Sequence, residues 1–311
     1  MALHRRLFLK QVSALSAAGV GAEFLSNRLV AAEPQEPLYK ISLAEWSLHR
    51  ALQQGKLDNR DFAKVAKNDF GIEAIEYLNQ FFQDKAKDKS YLIELKKRAE
   101  DLGVKSLLIV IDGEGRLGDA DEQKRTQAVE NHYKWVEAAQ MLGCHSIRAN
   151  TFGDGNFGER VDRAADGLRM LTEFAEKHDM NVLVENTLKS RYSSLGGFLT
   201  AVVNKVGMKH CGTLPDFAGW GRGEGVDADY RYKGVAGLMP FAKAVSARSD
   251  DFDAQGNETH TDYRQMMKIV VDAGYHGYVG IKYEGGELGE PEGIKATKKL
   301  LEQVRNELTN M

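Results

Sequence analysis

The sequence predicts an α/β fold, a single (β/α)8 TIM barrel, and three observations carry that expectation. Short apolar or alternating runs recur about eight times along the chain, and each is followed by a stretch of helical spacing. No glycine-rich phosphate loop follows the first run. Strand–helix alternation of this kind needs a parallel sheet covered by helices. The missing loop argues against an open doubly wound sheet. Gly113-Glu114-Gly115, after the third run, lacks both a third glycine and a helix start.

In chain order the runs are Lys40–Leu48, Ile72–Leu78, Val104–Asp112, Ser146–Thr151, Asn181–Thr187, Cys211–Phe217, Ala242–Ser249 and Tyr278–Glu284. They read as strands because they are brief and bounded by Gly, Asn or Asp. Glu130–Leu142, Val161–His178, Tyr263–Ala273 and Gly293–Leu308 place apolar residues on one helical face. Gly103, Gly143 and Gly274 sit just past helices, where a left-handed cap is expected. No repeat or low-complexity linker divides the chain, so residues 33–311 are expected to form one domain.

The first 32 residues read as a separate object. His4-Arg5-Arg6-Leu7-Phe8-Leu9-Lys10 precedes a weakly apolar run, Val12 to Leu25, and a small-residue exit at Val30-Ala31-Ala32. That pattern resembles a twin-arginine export signal and implies a periplasmic or otherwise extracytoplasmic protein. The run is too short and too rich in Gly, Ala and Ser to span a membrane, so no membrane association is expected once the signal is removed. Without residues 1–32 the formal net charge falls from −3 to −6, which argues against nucleic acid as a partner. Two cysteines, Cys144 and Cys211, open apolar runs. Buried free thiols are the plainer reading, and the sequence leaves a disulfide between them open.

Catalytic groups of a barrel gather at the C-terminal ends of its strands. Read in order, those ends offer Trp46 and His49, Asp112 and Glu114, Asn150, Glu185-Asn186, Asp216, then Ser246, Arg248 and Asp250, and Glu284. Glu185, Asp216 and Glu284 each close an otherwise apolar strand. Asp216 follows Glu185 by 31 residues and Glu284 follows Asp216 by 68, or one and two barrel units. Three carboxylates converging on one side of the mouth repel one another unless a cation neutralises them. A divalent metal is the simplest such cation. Oxygen ligands favour Mg or Mn, and an added imidazole favours Mn, Co or Zn.

Val-Glu185-Asn, Leu-Pro-Asp216-Phe and Ile-Lys-Tyr-Glu284-Gly together resemble the xylose-isomerase-like TIM-barrel superfamily of sugar isomerases, ketose 3-epimerases, inosose dehydratases and AP endonucleases. Supporting stretches are Ile41-Ser42-Leu43-Ala44-Glu45-Trp46-Ser47-Leu48, Ile75-Glu76-Tyr77 and Leu142-Gly143-Cys144-His145-Ser146-Ile147-Arg148. The resemblance implies a metal held by Glu, Asp, His and Glu from strands 5 to 8, here Glu185, Asp216 and Glu284. It also exposes a departure. Where His-x-Lys-Asp is usual, the chain reads Ser246-Ala247-Arg248-Ser249-Asp250, so Ser246 takes the usual His slot. Serine is a poor neutral ligand, and His210 and His260 are the substitutes the sequence offers.

The activity the resemblance implies is a divalent-metal-dependent sugar isomerase or epimerase. It would act on a non-phosphorylated saccharide or cyclitol through an enediolate. Glu185 and Glu284 would be the acid–base pair. Arg248 would hold a substrate oxygen, Trp46 would pack on the sugar face, and His49, Asn150 and Asn186 would bind hydroxyls. The alternatives are a lyase or hydrolase of a keto-glycoside or inosose that starts with the same proton abstraction, and a degenerate sugar-binding barrel. An AP endonuclease needs a His-rich three-zinc site and a cationic groove, which this sequence lacks. Barrels of this kind often pair, which makes a homodimer the expectation for assembly.

Overall fold

A computed structural model describes residues 36–187, 196–218 and 228–310, and the barrel lies within the unit Pro37–Met311. The expected export signal falls outside the described residues. The elements follow in order as β1 (Lys40–Ala44), α1 (His49–Gln53), α2 (Phe62–Phe70), β2 (Ala74–Leu78), α3 (Lys89–Glu100), β3 (Lys105–Val110), α4 (Glu122–Leu142) and β4 (Ser146–Arg148). They continue as α5 (Phe157–Glu176), β5 (Asn181–Glu185), α6 (Gly196–Val206), β6 (Cys211–Leu214), α7 (Ala228–Leu238), β7 (Val245–Ser249), α8 (Tyr263–Asp272), β8 (Tyr278–Tyr283) and α9 (Glu290–Thr309).

Every strand falls inside the run that predicted it. The helices begin where local capping dictates. The Asp121 carboxylate accepts from Gln123 and Lys124 N–H to start α4, and Asn156 with Glu159 forms a capping box on α5. Gly143 ends α4 at φ 79°, a conformation that costs a side chain strain. Among the described residues, no helix is long and apolar enough to cross a membrane.

All strand pairings are parallel, in the order β6-β5-β4-β3-β2-β1-β8-β7. The two ends meet through bridges Thr213↔Ala242 and Asp216↔Ser246, with Ser246 N–H donating to the Pro215 carbonyl at 2.9 Å and Phe217 N–H to the Ser246 carbonyl at 3.0 Å. The sheet is thereby a closed barrel. Outward residues such as Ile75, Ile147, Val182, Val245 and Ile281 belong to the large buried cluster under the helices. Leu108, Leu183, Leu214 and Ala244 form a separate small apolar cluster inside. Successive strand residues face opposite ways. The positions two beyond that inner layer, including Glu185, Asp216 and Ser246, therefore point inward at the C-terminal mouth.

Candidate active site at the barrel mouth

A cavity of about 220 Å³ opens at that mouth. Its apolar side is made by Ala44, Leu78, Val110 and Leu214, and Trp46 and Gln80 flank it. Its polar side carries Glu76, Asp112, Arg148, Asn150, Glu185, Ser246, Arg248, Lys282 and Glu284. Several carboxylates and a flanking indole beside apolar surface suit a polyhydroxylated ligand.

The register explains who meets whom. Asp216 is bridged to Ser246, Ser246 pairs with Gly280, and Arg248 pairs with Lys282. Lys282 extends its ammonium between two carboxylates, 2.8 Å from Glu185 Oε1 and 3.0 Å from Asp216 Oδ2. Arg248 reaches Glu284 Oε1 at 2.9 Å and Asp216 Oδ2 at 3.4 Å. Arg148, at the end of β4, places Nε 2.8 Å from Glu185 Oε2 and NH1 3.1 Å from Asp112 Oδ1. The Nε atoms of Arg148 and Arg248 sit at ion-pair distance without hydrogen-bond alignment. Burial by itself pushes the Asp216 carboxyl up, but Arg248 and Lys282 outweigh it and hold the group well below the usual carboxylate range. Burial likewise disfavours charge on Lys282, and Glu185 with Asp216 outweighs it, so the ammonium is held protonated above its ordinary value.

Two further acids line the cavity from the opposite strands. Burial raises Glu76 to about 7, against the Ser42 hydroxyl that donates to it at 2.7 Å and with the repulsion of Glu185 adding to the rise. Gly280 makes the room, since a Cβ there would lie 2.2 Å from Glu76 Oε1. Burial raises Glu45 to about 8, opposed by the Leu78 N–H and the Asn59 amide that donate to it.

The structure thus puts Glu185, Ser246, Arg248 and Glu284 on one cavity with Trp46 and Asn150, and sets Asp216 behind them against Arg248, Lys282 and Ser246. Asn150 is tied to its neighbours, donating to Asp112 Oδ1 at 2.7 Å and accepting from Arg148 at 2.9 Å. Two expected hydroxyl partners have other tasks. His49 stacks on Trp46 with centroids 4.3 Å apart, and its Nδ1 lies 2.7 Å from the Trp46 carbonyl and 3.5 Å from Glu290, so it props the indole. Asn186 exchanges two 2.8 Å bonds with the Asp216 backbone and fixes the end of β6 against β5. Glu114 turns away to accept from the Trp135 indole at 2.7 Å.

The sequence reading assigned no role to Lys282, Arg148 or Glu76. Period-two alternation held the signal. Gly280, Lys282 and Glu284 share a face, so a lysine there cannot point away from the acids.

The expected divalent ion fails a direct test at these residues. Glu185, Asp216 and Glu284 already face three cations of the chain itself, Lys282, Arg148 and Arg248. The repulsion that called for a metal is thereby cancelled. Among the described residues, oxygens of these three acids do not gather within the 4.8 Å spread of a shared ligand shell. Ser246 offers only a neutral hydroxyl where the resemblance implied imidazole. In this structure the carboxylates of the expected set Glu185, Asp216, Glu284 and Ser246 are engaged by the chain's own cations and do not form a ligand shell.

One other described group has donor spacing that could hold a metal ion, namely Asp250, Glu258 and His260. Glu258 there accepts from the backbone N–H of His260 at 2.8 Å and of Asp250 at 3.3 Å, which clamps the loop after β7. His260 thus meets Glu258 and Asp250 instead of the barrel-mouth acids. His210 precedes β6 at the opposite end of the barrel, where its carbonyl accepts from Val182.

The family model described as xylose isomerase-like TIM barrel matches residues 62–304. The chain belongs to this family. Solved structures agree on the fold of the xylose isomerase-like barrel. A 3-keto-D-glucoside 4-epimerase from E. coli superposes with a TM-score of 0.66 at 13% identity, covering 85% of this chain and 99% of that one. A D-psicose 3-epimerase from Clostridium cellulolyticum H10, solved with D-tagatose, gives 0.67 at 12% identity, covering 86% and 99%. The IOLI protein, crystallised with a zinc atom, gives 0.63 at 16% identity, covering 86% and 98%. No curated protein sequence matches.

Proposed function

We propose that this chain is a sugar isomerase or epimerase. It would move a proton at a carbon beside a carbonyl in a non-phosphorylated saccharide or cyclitol. The observation that carries the reading is that Glu185 and Glu284, from β5 and the end of β8, line one cavity with fixed cations between them. Glu284 is the more accessible, with 24% of its side chain exposed against 3% for Glu185. Glu284 takes the proton from carbon. The electron pair moves into a carbon–carbon double bond, and the carbonyl π pair moves to oxygen. Arg248 and Lys282 donate to that oxyanion as it forms. Glu185 and Glu284 together provide acid–base groups for return of the proton to either face or the neighbouring carbon. Trp46 covers the apolar face of the ring, and Asn150 offers an amide to a hydroxyl.

The solved 3-keto-D-glucoside and D-psicose epimerases are named for unphosphorylated sugars, which supports this substrate class. An export signal at residues 1–32 would place the enzyme outside the cytoplasm, where sugars of that kind are met. A second reading, a sugar-binding barrel without turnover, is favoured by one observation: Glu185 has a cation on each of its oxygens.

The deciding experiment incubates the protein in D₂O with free sugars, cyclitols and keto-glycosides, and follows deuterium at carbon by NMR. Exchange that Glu284→Gln abolishes supports the proposal. Exchange accompanied by release of a leaving group assigns a lyase. Saturable sugar binding without exchange assigns the binding protein, and exchange unchanged in both Glu185→Gln and Glu284→Gln removes the acid–base pair.

A further inference from the structure

We infer that the Lys282 ammonium is the resident cation of this barrel, standing in for a divalent ion, so that the mouth works without a metal. The lysine comes from β8. Its inward face reads Gly280, Lys282, Glu284, and β7 sets Arg248 beside Lys282 in register. The ammonium lies 2.8 Å from Glu185 and 3.0 Å from Asp216, the two carboxylates that a shared ion would have to bridge. Its side chain is 14% exposed, and an ion bridging those two carboxylates would have to take the place it occupies. Arg248 takes Glu284 as well as Asp216, and Arg148 occupies the second oxygen of Glu185. Removing Lys282 would leave Glu185 with Arg148 and Asp216 with Arg248, one cation fewer each, whereas adding an ion to all of them makes the cluster more cationic.

A lysine differs from a metal in what it supplies. It donates directed N–H bonds and does not ligate two substrate oxygens at once. Lys282 and Arg248 face the same cavity, so a carbonyl oxygen and its neighbouring hydroxyl can each accept from one of them. Lys282 stays protonated throughout. The proton that moves is the one on carbon, and the charge it leaves is carried by oxygen against the two cations. This catalytic consequence rests on the proposed function, but the absence of a metal at Lys282 does not.

The test is a Mn²⁺ titration of the full chain after exhaustive EDTA treatment, followed by calorimetry and by the EPR signal of free Mn²⁺. It uses a His260→Ala background to weaken the Asp250, Glu258 and His260 group. No saturable binding is expected at micromolar Mn²⁺. Lys282→Gln, which takes one cation from each of Glu185 and Asp216, should gain affinity by at least about tenfold, and Lys282→Gln with Ser246→His should gain more. If Lys282→Gln folds poorly, its thermal stability should rise on adding Mn²⁺ while that of the parent does not. Stoichiometric Mn²⁺ on the parent, lost in Glu185→Gln, would overturn the inference, as would no gain by affinity or stability in the Lys282 variants. The titration needs no sugar. Failure of deuterium exchange with every sugar would remove the proposed function and leave this result standing.

Discussion

Arg148→Met tests whether the barrel mouth is one charge-balanced unit. The Arg148 side chain is 8% exposed and serves three partners: Glu185 at 2.8 Å, Asp112 at 3.1 Å and Asn150 at 2.9 Å. Methionine keeps most of the apolar stem and deletes the charge. Glu185, itself 3% exposed, then keeps Lys282 on one oxygen and faces a thioether with the other. Breaking a buried pair by removing one partner costs about 3–5 kcal/mol. At about 2–4 °C per kcal/mol for a chain of this size, the melting temperature should drop by roughly 10 °C. Glu185→Gln in the same chain removes the carboxylate that lost its second cation, so the double variant should recover more than about 1 kcal/mol relative to additivity. Urea and thermal denaturation at pH 7, followed by circular dichroism on all four members of the cycle, supply the numbers. A single variant within about 1 kcal/mol of the parent, or a cycle that adds without coupling, would refute the idea that these charges hold one another in place.

Two further outcomes follow from burial. Glu76 is lifted from an ordinary 4.5 to about 7, which corresponds to about 3 kcal/mol. Because the folded value is the higher one, this contribution is fully present below pH 4.5 and is lost as pH rises through 7. Glu76→Gln should therefore flatten the stability profile across that window, and an unchanged slope in urea melts at pH 4.5, 6 and 7.5 would contradict it. Cys144 and Cys211 are buried free thiols, with burial pushing the first far above its ordinary value and the second to about 12. Neither should react with a thiol reagent in the native state at pH 8, and both should react in guanidinium; native labelling of either would show that the chain opens there.

The barrel was legible in the sequence because period is a local property. Alternation in Tyr278–Tyr283 and the apolar face of Val161–Ala175 are set by strand and helix geometry alone, whatever the neighbours. The same parity brought Glu185, Asp216 and Glu284 to one end, and the structure links them there through Arg248 and Lys282, with Ser246 bridged to Asp216. Parity also aims Lys282 at the acids. What it cannot give is the distance at which the ammonium stops, because that depends on how the β7–β8 register and the bridge at Asp216 close the ring.

Sequence by itself therefore determined the strands, the inward face and three of the acids at the mouth, Glu185, Asp216 and Glu284. Tertiary structure decided their partners. Whether three carboxylates await an external ion or are already neutralised depends on separations of about 3 Å between residues as far apart as 148 and 185 or 185 and 282. Coulomb energy in a desolvated ring falls off over those few ångströms, and chain order carries no record of them.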